Sequence, residues 1–167
     1  MESSSYPVTW EKAKMVLLPL VNMAGIKEVQ VFGSVARDGE GNDLDVILIV
    51  DTFVYSTFLA EMWRMYYNDA SYGSDYYVDY RKQRYLAAMA ALSPKPAERG
   101  WLELAAQQLG APVDFHLMPV DWPQHVDKIQ LHLPHHDPMF ASNAARDAKT
   151  VRVWSEGLNE MIEITGL

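Results

Sequence analysis

The stretch Val31–Asp51, "VFGSVARDGEGNDLDVILIVD", decides how the rest of the chain is read. Its second half, "DLDVILIVD", is an apolar run too long for a half-exposed edge. It therefore predicts a strand buried on both faces. Yet the run opens with Asp43 and Asp45 and closes with Asp51. Residues two apart on a strand face the same way, so Asp43 and Asp45 are expected to project together. Adjacent carboxylates repel, and burying them unpaired costs several kcal/mol. No Lys or Arg immediately flanks the pair in sequence. A hard divalent cation with oxygen ligands, Mg²⁺, is the expected partner.

Just upstream, Gly33 permits a tight turn with close backbone approach. Ser34 offers a hydroxyl and a cap for the brief helix expected in "GSVARDG". Free amides at a helix start suit phosphate. "GEGN" is a tight loop that returns the chain. A phosphate turn and an acid pair joined by one short loop is the layout of metal-assisted phosphoryl or nucleotidyl transfer. Arg37, three residues beyond Ser34, is placed to reach a phosphate oxygen or a base, or to sit solvated on the helix.

Outward from this stretch, Trp10 to Met23 predicts a helix with Thr9 as N-cap and Gly25 as its stop. Pro19 should kink or shorten it. "EVQVFG" predicts a short strand. Helical periodicity recurs over Val54–Ala70, Tyr80–Leu92 and "AERGWLELAAQQLG", with "SPKP" as a break. "PVDFHLMPV" is the next strand, "DWPQHVDKIQLHLPHHDP" is helix or loop, Pro138–Ala148 is helical and "TVRVW" is a last strand. This order predicts an α/β (α+β) fold, a small mixed sheet flanked by helices. The expectation is a single domain over 1–167 with a helical insertion at about 52–100.

Asp114 in "PVDFHLM" opens a second apolar strand, as Asp43 and Asp45 open the first. Asp114, His116 and Met118 would share one face, with Val113, Phe115 and Leu117 on the other. In a two-metal site, a third carboxylate completes the metal shell and assists the attacking hydroxyl. Asp51 reads as a turn residue at the strand's exit. His116 reads as a partly buried strand histidine or a group at the site's edge. His132, His135 and His136 lack a helical register and lie among prolines, so they read as loop. Tyr76–Tyr85, "YYVDYRKQRY", reads as a helix face with solvated charges, or as a surface for an acceptor, base or partner. The large apolar residues from Phe58 to Tyr67 read as core.

Composition bounds the chemistry. With no cysteine among 167 residues, disulfides, thiolate metal sites and a Cys nucleophile are excluded. Hydrophobic content of 49% and charged content of 22% are those of a globular chain. The net charge of −8 repels a phosphate backbone, so non-specific DNA binding is not expected. No apolar run is long enough to span a bilayer, and the N-terminal residues lack a secretory pattern. The expected location is the cytoplasm.

At these residues the chain resembles the DNA polymerase beta-type nucleotidyltransferase superfamily, and within it the minimal, antitoxin-like members. "FGSVARDGEGNDLDVIL" is similar to the family's Gly-Ser pair, spacer and Asp-x-Asp strand. "PVDFHLM" is similar to the later strand bearing a third Asp, and "DPMFASNAARDAKTVRVW" to the closing helix and strand. The spacer is shorter than in many members, Asn42 stands where Ser is common, and Thr52–Lys95 carries no family motif. The resemblance implies that Gly33 and Ser34 hold a triphosphate and that Asp43 and Asp45 bind two Mg²⁺ ions. It implies that Asp114 ligates the catalytic metal and helps activate the acceptor. The reaction implied is transfer of a nucleoside monophosphate, AMP from ATP, to an acceptor hydroxyl with release of pyrophosphate. The acceptor would be a partner protein, as in toxin–antitoxin systems, or a small cationic compound of aminoglycoside type. A non-catalytic nucleotide-binding or interaction module is the remaining reading.

Overall fold

The computed structural model describes residues 7–21, 23–70, 80–92, 96–120, 151–156 and 160–161. Strand β4 (Leu44–Val50) lies inside the sheet, antiparallel to β2 (Ile26–Phe32) and parallel to β5 (Val113–Met118). Beyond β2 come β6 (Val151–Ser155) and the short β7 (Glu160–Met161), giving the order β5-β4-β2-β6-β7. A mixed sheet with helices packed on it is the α/β class that the alternation of elements predicts.

The pleat sorts β4 into two faces. Leu44, Val46, Leu48 and Val50 join the main hydrophobic core, as do their cross-strand neighbours Val113, Phe115 and Leu117 on β5 and Val29 and Val31 on β2. The opposite face carries Asp45, Ile47 and Ile49 beside Asp114, His116 and Met118. Ile47, Ile49, Asp114, His116 and Met118 are buried too, so the unbroken apolar run is explained by burial on both sides.

The core face is covered by helices. Helix α1 (Trp10–Leu20) turns Ala13, Val16, Leu17 and Leu20 inward, and Thr9 Oγ1 accepts a hydrogen bond from Lys12 N as the expected N-cap. The helix stops one residue after Pro19, and Gly25 lies in the following turn rather than at the helix end. Between β4 and β5 the chain runs through α3 (Thr52–Ala70), α4 (Tyr80–Leu92) and α5 (Pro96–Leu109). Helix α1 packs on α5, α3 on α4, and α4 on β5.

Two short pieces depart from the sequence reading. Val8–Thr9 forms β1 and Glu40–Gly41 forms β3, and they pair antiparallel, so part of the expected "GEGN" loop is strand. The expected helix over 138–148 and the histidines His132, His135 and His136 lie outside the described residues. Among the described residues, no helix is long and apolar enough to cross a membrane.

Candidate active site

The Gly33–Ser34 turn is built where β2 ends. Phe32 is the last strand residue and the N-cap of α2 (Gly33–Asp38), with no side-chain capping hydrogen bond. Ser34 is therefore inside the first helical turn, which corrects the expectation that it caps the helix. Gly33 has φ 75°, a backbone that favours glycine. A Cβ at Gly33 would collide with Asp45 Oδ2 and stand 3.1 Å from Asp45 Cγ. Glycine here serves both the backbone and the close approach of an acid. A Cβ on Gly41 would meet the Ser34 hydroxyl, so Gly41 leaves the space that the Ser34 side chain fills.

The third acid arrives by strand pairing. In the parallel ladder of β4 and β5, Asp45 stands directly opposite Asp114. Asp43 precedes β4 by one residue. The structure thus brings Asp43, Asp45 and Asp114 to one end of the sheet, beside Gly33. Asp51 leaves from the other end of β4 and caps α3: Val54 N donates to Asp51 Oδ1 at 2.9 Å. Arg37 is exposed and pairs with Asp38 at 3.1 Å, not with these carboxylates.

Positive charge comes from α4. Arg84 forks onto Asp114, with Nε to Oδ1 and Nη2 to Oδ2 both at 2.9 Å. Arg81 bridges the outer acids, with Nη2 3.1 Å from Asp43 Oδ2 and Nε 3.7 Å from Asp114 Oδ2. His116 Nε2 lies 3.4 Å from Asp114 Oδ2, and its ring packs on Phe32 with centroids 5.4 Å apart. Arg81 and Arg84 are the site residues that the sequence reading did not assign to the acids; His116 stands on the face of Asp114, as its strand register predicts. Arg81 and Arg84 are three apart on a helix, so a shared face was readable. Nothing in a helical pattern says what that face meets.

These contacts set the acids apart. Burial works against ionisation of Asp114, but His116 and Arg84 outweigh it and hold its carboxyl well below the usual carboxylate range. Asp45 is pushed up to about 7, by burial first and then by the charges of Asp43 and Asp114, against a smaller opposing pull from Arg81 and Arg84. Among the described residues, Asp45 has no hydrogen-bonded or ion-paired cation, so the middle acid of the site is the one without direct compensation.

The donor set suits a hard cation, because carboxylate oxygens are the ligands Mg²⁺ prefers. Among the described residues no three His, Asp or Glu side chains are gathered tightly enough to hold an ion. The arginines hold Asp43 and Asp114 instead, so metal binding requires these side chains to converge on Asp45. Compared with family models, with curated proteins and with solved structures, the chain finds no match.

Proposed function

We propose that the chain is a metal-dependent nucleotidyltransferase whose working groups are Asp43, Asp45 and Asp114. The observation that carries this reading is the register of Asp45 against Asp114 on adjacent parallel strands, with Gly33 pressed on Asp45. Sequence-distant acids meet there at a turn whose glycine leaves room for them. Asp43, Asp45 and Asp114 would hold Mg²⁺, which supplies charge stabilisation at the transferring phosphoryl group. Gly33 and Ser34 would line the triphosphate. The acceptor hydroxyl oxygen bonds to the α-phosphorus of the NTP. The bond from that phosphorus to the α,β-bridging oxygen breaks, and pyrophosphate leaves with the electron pair. The hydroxyl proton passes to a site carboxylate or to solvent.

ATP is the proposed donor, and a partner protein or a small cationic compound the proposed acceptor. The net charge of −8 favours such acceptors over a nucleic acid. A second reading is favoured by the Arg84–Asp114 fork: a non-catalytic module in which buried ion pairs fasten α4 to the sheet.

Pyrophosphate release from each NTP with Mg²⁺ separates these. Release with label retained on a co-purified protein supports the protein acceptor. Release only on adding an aminoglycoside supports the small acceptor. Nucleotide binding without release under either condition supports the module and contradicts the enzyme.

A further inference from the structure

The two arginines on α4 hold the acids in different ways. Arg84 is nearly enclosed, at 12% side-chain exposure, and its fork grips both oxygens of Asp114. Arg81 is 43% exposed and divides its guanidinium between Asp43 and Asp114. Its closer contact is to Asp43, whose side chain is itself 25% exposed. Arg84 is built as an anchor, whereas Arg81 is the more exposed, on a long stem that can swing.

A divalent ion binding at this site would compete with Arg81 for Asp43 Oδ2, the closer of its two contacts, while Asp114 Oδ2 stays in the Arg84 fork. A guanidinium and a metal ion compete for the lone pairs of that oxygen, and their like charges repel. The expelled group then remains beside the acids, free to meet a triphosphate bound there. A planar guanidinium fits phosphate oxygens with the same two-pronged geometry it uses for carboxylate. The charge also favours this order. A divalent cation adds two positive charges beside Arg81, Arg84 and His116, which draws in a polyanion.

We propose that Arg81 is an exchangeable counter-ion that positions the triphosphate: it neutralises Asp43 until metal takes that carboxylate, then transfers its guanidinium to the phosphate oxygens. This rests on the nucleotidyltransferase reading of the same site.

The test measures two affinities separately, Mn²⁺ alone by electron paramagnetic resonance and then α,β-methylene-ATP at saturating Mn²⁺. Arg81→Ala should bind Mn²⁺ more tightly, by about three- to tenfold, and the analogue more weakly, by about tenfold or more. Arg81→Lys keeps the charge but lacks the fork, so its analogue affinity should also fall. Lys82→Ala, removing the neighbouring exposed charge, should move neither constant; circular dichroism melts check that each variant is folded. Arg81→Ala affinities that both rise, both fall or both stay put overturn the proposal, as does a Lys82→Ala variant that reproduces the pattern. Mn²⁺ binding that Asp45→Asn weakens but Arg81→Ala leaves untouched overturns this inference alone. Absence of Mn²⁺ binding in the wild type overturns the metal-site reading and this inference with it.

Discussion

A carboxylate flanked by two others lowers its energy by taking up a proton or gaining a cation. Asp45 is in that position, and its carboxyl is pushed up to about 7 from 3.8, by burial and then by its acidic neighbours. A folded-state pKa above the unfolded value means that folding favours the protonated form. The associated stability is present at pH below about 4 and is lost as pH rises through about 7. Asp45→Asn should therefore raise the melting temperature of the metal-free protein above that range, by about 2–6 °C, with the gain vanishing toward the acid end. The same substitution should lower nucleotidyl transfer by about a hundredfold or more. A thermal melt series in pH and a transfer assay check the two halves. Gly33→Ala offers an independent probe, because it combines backbone strain with collision against Asp45, whereas Gly39 has φ 84° and open space around a Cβ. Gly33→Ala should destabilise by about 1–3 kcal/mol and depress transfer, while Gly39→Ala carries the backbone cost alone. Denaturant melts of the pair separate the contributions. Gly33, Asp43, Asp45 and Asp114 were legible in the sequence because each stands at a strand end or turn with a stated geometric need. Arg81 and Arg84 were not, because their partners come from a distant strand and no local pattern carries that information.

At the scale of elements, α4 packs on β5, the end strand of the sheet among the described residues. Tyr85 stacks on Phe115 with ring centroids 5.9 Å apart, while the preceding Arg84 forks onto Asp114. Asp114 and Phe115 point to opposite faces of the strand, so the helix grips both faces around the edge. Arg84→Ala would leave Asp114 buried without its fork and should cost about 3–5 kcal/mol in urea unfolding. Asp51→Ala removes the cap of α3 and should cost about 1 kcal/mol while leaving transfer unchanged. A transfer defect in folded Asp51→Ala would contradict the assignment of Asp51 to capping and Asp114 to the site. The long periodic helices were legible, α4 from Tyr80 to Leu92 as expected and α3 from Thr52, two residues earlier than expected. The two-residue strands β1 and β3 were not, because so short a segment carries no period.

For the whole molecule, the decisive fact is the direction of β5. Sequence alone puts acids at the heads of two apolar strands. Parallel pairing brings those heads together, whereas antiparallel pairing would hold them a strand's length apart. A parallel neighbour requires a crossover, and α3, α4 and α5 provide it while delivering the arginines to the site. The insertion is thus tied physically to the acids. Fold class was readable from element order; the meeting of Asp114 with Asp45 and Arg84 depended on tertiary direction. The most direct measurement is a paired transfer assay with ATP labelled at the α- or γ-phosphate, Mg²⁺ and a responsive acceptor, comparing the wild type with folded Asp43→Asn/Asp45→Asn. The acid site predicts acceptor labelling from α-labelled ATP only, lost in the double variant and on chelating the metal. Labelling from the γ-phosphate, or full labelling by the double variant, would contradict it.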